Sequence, residues 1–384
     1  MVTTTNTLTS LIPDLYQAMD TVCRELTGLI PAVTMNASAA RAAKDSKIRS
    51  FVAPAAASED ATPGQLPPDT GGQVIGTNYI TIEASKVVPF QWSGEEQMQV
   101  APGHGHRAIQ QDQVSQAIRT LVNAVETLIF NKMYVKSSRA FGAAGTKSFN
   151  SGLGDAAGVR RILVDNGAPA SDLQLVMDTF AGASLRSQVT IPNTMDAGAL
   201  QLRNQGILIP LFGMAARESA AVKGIAIGTV SGTLASAVRA AGTTVLTTTA
   251  DYSATLLVGD IVTFAGDTNQ YVIVAKSASD ITIGAPGLVA GTTSGTKAIT
   301  VVATAVRSLA FHRSAFQLAL RTPAVPEEGD SADDRVILTD PRTGISFEFA
   351  MYKQYRRVRY EVGLAYGGDV VKTEFVAQMI GLAG

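Results

Sequence analysis

The pattern of apolar and polar positions is most regular between Ala108 and Arg139, where it predicts one long amphipathic helix. No Pro or Gly occurs in residues 108–140, so this helix can continue for roughly 28 residues, or about 40 Å at 1.5 Å per residue. Its apolar side chains recur at the i, i+3, i+4, i+7 spacing that places them on one face. They are Val114, Ala117, Ile118, Leu121, Val122, Val125, Leu128 and Ile129. We call this segment the spine helix.

The opposite face of the spine helix is polar but uncharged, at Gln113, Gln116, Thr120, Asn123 and Thr127. A helix face that meets only water more often carries interspersed Glu and Lys. We therefore expect other protein to cover both faces of this helix.

Before the spine helix, short regular stretches alternate with irregular ones. Residues 14–26 have the apolar spacing of a short helix, which needs a surface to dock on. Residues 41–49 carry four basic side chains against one acidic, which favours the solvated face of a helix over contact with nucleic acid or a partner. Residues 53–72 are rich in Ala, Pro and Gly and form a linker or a protruding loop. Strands are expected after it, at Tyr79–Glu83 and Val87–Trp92.

Beyond the spine helix, a helix at Gly154–Asp165 and a buried strand at Leu173–Met177 are followed by a change of composition. Residues 224–302 are rich in Thr, Val, Gly and Ile, and turn glycines separate short alternating stretches. The strands predicted there are Thr244–Thr248, Asp260–Phe264, Tyr271–Val274 and Ile281–Ile283. This pattern predicts a small all-β barrel inserted into an α+β host. The host continues in long strands at Arg335–Leu338, Gly344–Tyr352 and Val358–Tyr366.

The composition points to surface that is buried against other protein. Charged residues make up 16% of the 384 residues and hydrophobic residues 46%, against about 25% charged in a typical protein. No apolar run reaches the roughly 18 residues that a membrane helix needs, so copies of the chain are a better explanation than lipid. An ordinary enzyme rich in Ala, Gly and Thr is the alternative.

Net charge and cysteine content limit the class of protein and the cellular compartment that we expect. The net charge of −1 argues against an autonomous nucleic-acid-binding protein. The single cysteine, Cys23, suits a reducing compartment. Residues 1–10 lack the basic and apolar regions of a secretion signal, so we expect the chain to stay in the cytoplasm where it is made.

No motif has the spacing of a catalytic or cofactor site. The segment Gly152–Gly158 approaches the dinucleotide fingerprint, but its third glycine falls one position late. The segment Gly142–Ser148 has the letters of a phosphate-binding loop without its spacing. His104 and His106 have no third ligand nearby in the sequence. We therefore assign no catalytic, cofactor-binding or metal-binding residue.

Two oppositely charged segments are candidates for contact between subunits. The basic one contains Arg356, Arg357 and Arg359, and strand alternation predicts Arg357 and Arg359 on one face with Tyr355. The acidic one is a loop with Glu327, Glu328, Asp330, Asp333 and Asp334. We expect the two segments to pair across a subunit contact, where ion pairs set register and specificity. Contact of the arginines with DNA phosphates is the alternative.

The order of segments along almost the whole chain provides a further indication. The stretches concerned are Leu11-Ile12-Pro13, Val88–Glu96, the spine helix, Ala310–Phe316, Asp333–Gly344 and Tyr360–Gly367. In their order and spacing they resemble the major capsid (coat) proteins of tailed bacteriophages with the HK97-type fold, closest to those of P22-like short-tailed phages.

This resemblance implies an α+β, HK97-type capsid fold with an inserted β-barrel. Its parts are an N-terminal arm (1–50), an extended loop region (51–93), a peripheral domain with the spine helix and the start of an axial domain (94–223), the inserted barrel (224–302) and the remainder of both domains (303–384). It also implies assembly into pentamers and hexamers of an icosahedral virion shell in the host cytoplasm. The implied partners are a scaffolding protein, a portal protein and packaged double-stranded DNA in non-specific contact, with no membrane.

Two other interpretations remain at this stage. An encapsulin-like storage compartment would share the fold, and the inserted β-domain is evidence against it. A soluble enzyme with a β-barrel appendage belongs to another class, and the lack of a catalytic constellation counts against it.

Overall fold

A computed structural model describes residues 15–18, 28–52, 76–100, 105–150, 152–187, 208, 210–229, 231–340 and 344–382. Within these residues the helices are α1 Gly94–Val100, α2 Gly105–Val135, α3 Gly154–Asp165 and α4 Thr179–Arg186. The strands are β1 Thr34–Ala42, β2 Lys47–Val52, β3 Gly76–Thr81, β4 Ala84–Ser93, β5 Arg139–Gly142, β6 Leu173–Met177, β7 Met214–Glu218, β8 Gly224–Ile225, β9 Ser231–Leu234, β10 Val245–Thr247, β11 Ile261–Phe264, β12 Gln270–Lys276, β13 Asp280–Ile283, β14 Lys297–Val301, β15 Ala305–His312, β16 Phe316–Pro323, β17 Asp334–Thr339, β18 Ser346–Gln354, β19 Arg357–Val370 and β20 Val376–Gly381. The fold is mixed α+β, as the sequence predicts.

Helix α2 is the spine helix, with 31 residues and a length of about 46 Å. Its apolar face packs on a sheet with the order β1-β16-β19-β18-β17, in which β4 also pairs with β19. Alternate residues of β19, Val362, Leu364 and Tyr366, lie in the core that this sheet forms with α2. The sheet therefore supplies the cover for one face of the spine helix.

A second sheet, with the order β7-β6-β15-β20-β5, shares the core of α2 through residues such as Leu309 and Phe311 of β15. Its other face packs on α3 and α4 and forms a separate core around Ile162 and Leu185. Every residue of β15 except His312 is buried, as expected for a central strand covered on both faces.

The strands of the insert form a closed ring. β9 pairs with β14, β14 with β11, β11 with β12, β12 with β13, and β13 with β10. β10 returns to β9 through the Leu234–Thr248 pair. The interior is a hydrophobic core of its own, with every second residue of β13, Ile281 and Ile283, pointing inward. The insert's own strands therefore close the expected barrel, and β9 and β14 join the four strands that the sequence predicts.

The insert contacts the host by more than its two connections. β5 of the host pairs with the first half of β12, where Tyr271 lies opposite Arg139. The ends of the insert lie side by side, because Ile225 pairs with Ala305. β8 consequently belongs to the second sheet, and the ring begins at β9 rather than at Gly224.

Expressed alone, residues 224–302 are expected to form a soluble monomer with a β-type circular dichroism spectrum and cooperative unfolding, because the ring needs no host strand to close. The host without them is expected to assemble poorly, since β-rich, non-local folds expose strand edges while they form. The matched control is the fragment with Val262→Asp, whose buried carboxylate should prevent folding. A disordered wild-type fragment, or a deletion that assembles at wild-type yield, would count against this prediction.

One expectation for the N-terminal part needs correction. Residues 41–49 are not the face of a helix but the end of β1, a turn and the start of β2. In β2 the side chains alternate between the two faces of the strand, since Lys47 and Arg49 are exposed while Ile48 packs against a small core. β1 itself is part of the first sheet, although it falls in the predicted arm. The predicted helix at 14–26 lies outside the described residues except for 15–18, which are helical.

Candidate subunit-contact site

The predicted basic segment lies at the tip of the hairpin formed by β18 and β19. Gln354 pairs with Arg357, which leaves Tyr355 and Arg356 as a two-residue turn. The alternation expected for Tyr355, Arg357 and Arg359 therefore holds only from Arg357 onward. Tyr355 is 91% exposed, and Arg356 has a φ of 55°, in the left-handed region that glycine favours. The Arg356 carbonyl oxygen accepts the Gly94 N–H at 3.2 Å, which fixes the tip against the start of α1.

The three candidate arginines have different surroundings. Arg359 Nη2 lies 2.6 Å from Glu361 Oε1 on the same strand. Arg357 Nε donates to Gln354 Oε1 at 2.5 Å. Arg356 is exposed and makes no ion pair with another described residue. Arg356 and Arg357 are thus the members of the set that remain available to a partner.

The predicted acidic loop lies beside the same end of the hairpin, but its contacts are with other residues. Asp330 Oδ2 lies 2.5 Å from Arg335 Nη2 and accepts the Tyr352 hydroxyl at 3.0 Å. Asp333 accepts the Lys353 N–H at 2.5 Å. The expected pairing with the arginines does not occur within one chain. It stays a prediction for the contact between chains.

The other acidic residues of the loop have different surroundings. Asp334 begins β17, where its carboxylate accepts the Arg335 N–H at 2.8 Å. Glu327 and Glu328 are exposed and make no ion pair with another described residue. These two glutamates are consequently exposed acidic groups that are available to a partner.

Asp330 is held in its charged form. Burial alone would raise the pKa of its carboxyl group, but hydrogen bonds from Ala332 N–H, Arg335 and Tyr352 outweigh burial and hold the pKa below its ordinary value. The loop is therefore anchored on β17 and β18 at neutral pH.

The sheet face that turns away from α2 carries an ion-pair network that the sequence does not indicate. The side chain of Glu348 is 8% exposed and lies between Arg41 Nη1, at 2.7 Å, and Arg335 Nε, at 2.9 Å. The network joins β1 to β17 and β18, two consecutive strands that lie far along the chain from β1. One of the four basic residues in segment 41–49 thus has a partner inside the subunit.

On the spine helix, the predicted apolar residues Val114, Ile118, Leu121, Val122, Val125 and Ile129 are buried, and Leu128 is half-buried. On the opposite face, Gln116, Thr120 and Asn123 are exposed in the single chain. The Thr120 hydroxyl donates to the Gln116 carbonyl oxygen at 2.8 Å, so this threonine presents mainly its methyl group. The second face of the helix is therefore mostly uncharged, with Asp112 as an exposed charged residue on it, and it is open to a neighbouring molecule.

Glu126 is a buried acidic residue on the apolar side of the spine helix. Its carboxylate accepts hydrogen bonds from the Leu29 N–H at 3.0 Å, the Ile30 N–H at 2.7 Å and the Ser219 hydroxyl at 2.7 Å. Burial raises the pKa of Glu126, and these donors offset the effect only in part. The carboxylate holds the chain at residues 29–30 and the loop after β7 on the helix. The sequence signal was a glutamate directly after Val125, within the apolar stripe.

The segments that approach a cofactor or metal motif in the sequence have other structural roles where the structure describes them. Gly158 of α3 lies against the ring of Phe141, where an added Cβ would come within 2.3 Å, so close packing requires this glycine. The Lys147 ammonium lies 5.7 Å from the ring centre of Phe180. The side chains of His104 and His106 are outside the described residues. Among the described side chains, no group of three or more His, Cys, Asp or Glu is placed to hold a metal ion.

None of the described helices combines the length and the apolar character needed to cross a membrane.

No protein-family profile and no curated protein sequence matches this chain. Solved structures with a similar fold include Mycobacterium phage Che8, with 14% identity, a TM-score of 0.47 and coverage of 92% of each chain. The capsid structure of the cyanophage P-SCSP1u has 10% identity and a TM-score of 0.48 over 94% of this chain and 89% of that one. A virus-like particle from Pyrococcus furiosus has 9% identity and a TM-score of 0.43 over 96% and 98%.

Proposed function

We propose that this chain is the major capsid protein of a tailed bacteriophage and that it self-assembles into the icosahedral shell around a double-stranded DNA genome. The arrangement of its parts is the observation that supports this most directly. The β2–β3 hairpin, the spine helix, the two sheets joined by that helix and the β-ring inserted between β8 and β15 follow in the order that the sequence resemblance implies. The role is structural rather than catalytic.

The surface of the single chain supports assembly from many copies. The exposed face of α2 carries mostly uncharged polar side chains, and only 16% of all residues carry a charge. Such a surface costs less solvation free energy to bury than a charged surface does, provided that its polar groups find hydrogen-bond partners. Neighbouring copies in pentamers and hexamers would provide that cover.

The finer assignments belong to the same proposal. They are the relation to P22-like coat proteins, the location in the virion after assembly in the host cytoplasm, and the partners. A scaffolding protein and a portal protein would guide assembly. Packaged DNA would be touched through its phosphates without sequence readout, because phosphate contact requires only suitably placed cations.

Purified chain, expressed without other phage proteins or with a scaffolding protein, is expected to form closed hollow particles in negative-stain electron microscopy. The content of particles isolated from infected cells tests whether the shell encloses a double-stranded DNA genome. Nuclease-protected double-stranded DNA is expected there, whereas enclosed enzymes would indicate a storage compartment. Protein that stays monomeric under all of these conditions would contradict the proposal.

Reversal of the free hairpin-tip charges, Arg356→Glu with Arg357→Glu, is expected to lower the yield of empty shells at least about tenfold, because a weakened contact recurs in every copy. Arg359 is left unchanged, since its reversal would place two carboxylates beside each other at Glu361. Assembly of purified subunits in the absence of DNA is the measurement.

The matched control for this charge reversal is Arg161→Glu on α3, an exposed arginine far along the chain from the hairpin. It is expected to assemble normally. If the doubly reversed protein forms empty shells at the normal yield and fails only in DNA packaging, the arginines contact DNA rather than a neighbouring subunit.

A further inference from the structure

The insert lies directly on the C-terminal end of the spine helix, residues 134–138. The Val272 N–H of the insert donates to the Ser138 carbonyl oxygen at 3.4 Å, beside the short pairing of β12 with β5. The turn after β13 packs on the same segment, because Gly284 lies so close to the Ser137 carbonyl oxygen that an added Cβ would overlap it. The insert and the end of the helix therefore meet with no room for a side chain between them.

A fully buried arginine joins the insert to the same segment. Arg307 lies on host strand β15 and is 0% exposed. Its Nη1 donates to the Gly259 carbonyl oxygen of the insert at 3.1 Å and to Gln378 Oε1 of β20 at 3.2 Å. Gln378 Nε2 in turn donates to the Tyr134 carbonyl oxygen at 2.6 Å and to the Ser137 hydroxyl oxygen. One chain of hydrogen bonds therefore runs from the insert, through Arg307 and Gln378, to the spine helix.

The charge of Arg307 is stabilised from both sides of this junction. Burial lowers the pKa of Arg307 to about 10, and the charge of Asp260 in the insert opposes this shift, so the guanidinium is charged at neutral pH. The last carbonyl groups of a helix have no partner within the helix and form the negative end of its dipole, which favours a cation nearby. Gln378 brings such a carbonyl group, at Tyr134, into the same hydrogen-bond chain as the cation. Separating the insert from the helix would therefore remove part of the stabilisation of a buried charge.

Apolar packing between the insert and the host is small by comparison. One buried apolar cluster crosses the junction, and it is separate from the core of the ring. Its members are the host residues Ala140, Ala305 and Ile380 and the insert residues Ile261 and Val272. Apolar contact has no preferred direction, whereas a hydrogen bond requires both a distance and an angle. If the insert turned away, the buried guanidinium of Arg307 would lose the Gly259 acceptor, and a charged group loses more than a neutral one does. The hydrogen bonds therefore fix the angle of the insert.

We propose that Arg307 is a latch that couples the insert to the spine helix, so that a rotation of the insert moves the end of the helix instead of being absorbed at the two connecting strands. The alternative is an insert that swings freely on its connections. The coupling is a property of the single chain, and it goes beyond the proposed function because it does not depend on shell formation.

Distance measurements by electron paramagnetic resonance test the latch in the full-length chain. Cys23→Ser removes the chain's own cysteine, and spin labels at Val238→Cys in the insert and Val164→Cys on α3 then report the angle between insert and host. Both positions are exposed in the single chain. Labelled chains are diluted with unlabelled chains, so that every distance lies within one chain. The unaltered junction is expected to give one narrow distance distribution, and Arg307→Met is expected to broaden it at least about twofold, as for a released hinge.

Gly284→Ala tests the same coupling without removing the buried charge. Its Cβ would push the insert off the Ser137 carbonyl oxygen, so the distribution is expected to shift or broaden, and the amides of residues 134–138 to exchange hydrogen several-fold faster. The matched control is Gly94→Ala on α1, where an added Cβ meets no atom within 4 Å, and it is expected to change neither quantity.

A distribution that stays as narrow in Arg307→Met and Gly284→Ala as in Gly94→Ala would overturn the latch. A broad distribution in the chain with an unaltered junction would overturn it as well. If Arg307→Met does not fold, Gly284→Ala decides between the two outcomes. Neither outcome bears on whether the chain forms shells, so the latch and the proposed function are tested separately.

Discussion

Leu121→Asp is expected to abolish soluble, assembly-competent protein. Leu121 is 1% exposed and lies in the core between the spine helix and the two sheets. The substitution removes a buried leucine and leaves a carboxylate without a partner, which together should cost more than about 4 kcal/mol. A typical domain is stable by only about 5–15 kcal/mol. The folded population should therefore fall sharply.

The comparison for Leu121→Asp is Gln116→Asp, which introduces the same carboxylate on the exposed face of the same helix. Gln116→Asp is expected to stay soluble and to keep the melting temperature of the unaltered chain to within a few degrees. Soluble fractions, circular dichroism melts and electron microscopy of both variants are the measurements. Soluble, shell-forming Leu121→Asp protein would show that this stripe is not a packing face.

Elements whose signal is local are those that the sequence predicts well. Helix α3 has the predicted bounds, Gly154–Asp165, because its apolar period and its flanking glycines lie within one short segment. Strand β6 likewise spans the predicted Leu173–Met177. Helix α2 begins at Gly105, three residues before the predicted start, because a glycine is tolerated in the first turn of a helix.

Features that depend on distant partners could not be predicted in this way. Residues 41–42 become strand because β1 pairs with β16, about 280 positions further along the chain, and residues 47–49 become strand because β2 pairs with β3. The turn at Tyr355–Arg356 contains neither Gly nor Asn, so nothing in the local sequence marks it as a turn. Arg356 adopts a positive φ, which is strained for a residue other than glycine, at this exposed tip, where its side chain is available to a partner.

In the candidate site, too, the local charge pattern can be predicted from the sequence, whereas the contacts between distant residues cannot. Charge runs in the sequence identify the arginines of the hairpin and the acidic loop, and the structure places both at one end of the first sheet. The sequence does not show that Asp330 and Asp333 already bond to Arg335 and Lys353, because those pairs arise from strand register. The Arg41–Glu348 pair depends in the same way on the order of strands in the sheet.

Glu126→Ala is the second substitution for which we expect a large effect. It leaves the Leu29 N–H, the Ile30 N–H and the Ser219 hydroxyl without their acceptor in a buried place. Each unsatisfied donor costs about 1–3 kcal/mol, so the loss of stability should be about 3 kcal/mol or more. The chain at residues 29–30 should also loosen from the spine helix. Thermal melts and hydrogen exchange at Leu29 and Ile30 measure the two effects.

Glu126→Gln separates the acceptor from the charge, because its amide oxygen can still accept a hydrogen bond. Burial raises the pKa of Glu126 above its ordinary value of 4.5, so the folded state binds this proton more tightly than the unfolded state does. Stability from this group is therefore full below pH 4.5 and is lost as the pH rises through the raised folded pKa.

Glu126→Gln cannot lose a proton. The difference in unfolding free energy, unaltered protein minus Glu126→Gln, is consequently expected to fall as the pH rises above 4.5, as denaturant titrations at each pH would show. A difference that rises with pH would mean that the donors around Glu126 outweigh its burial.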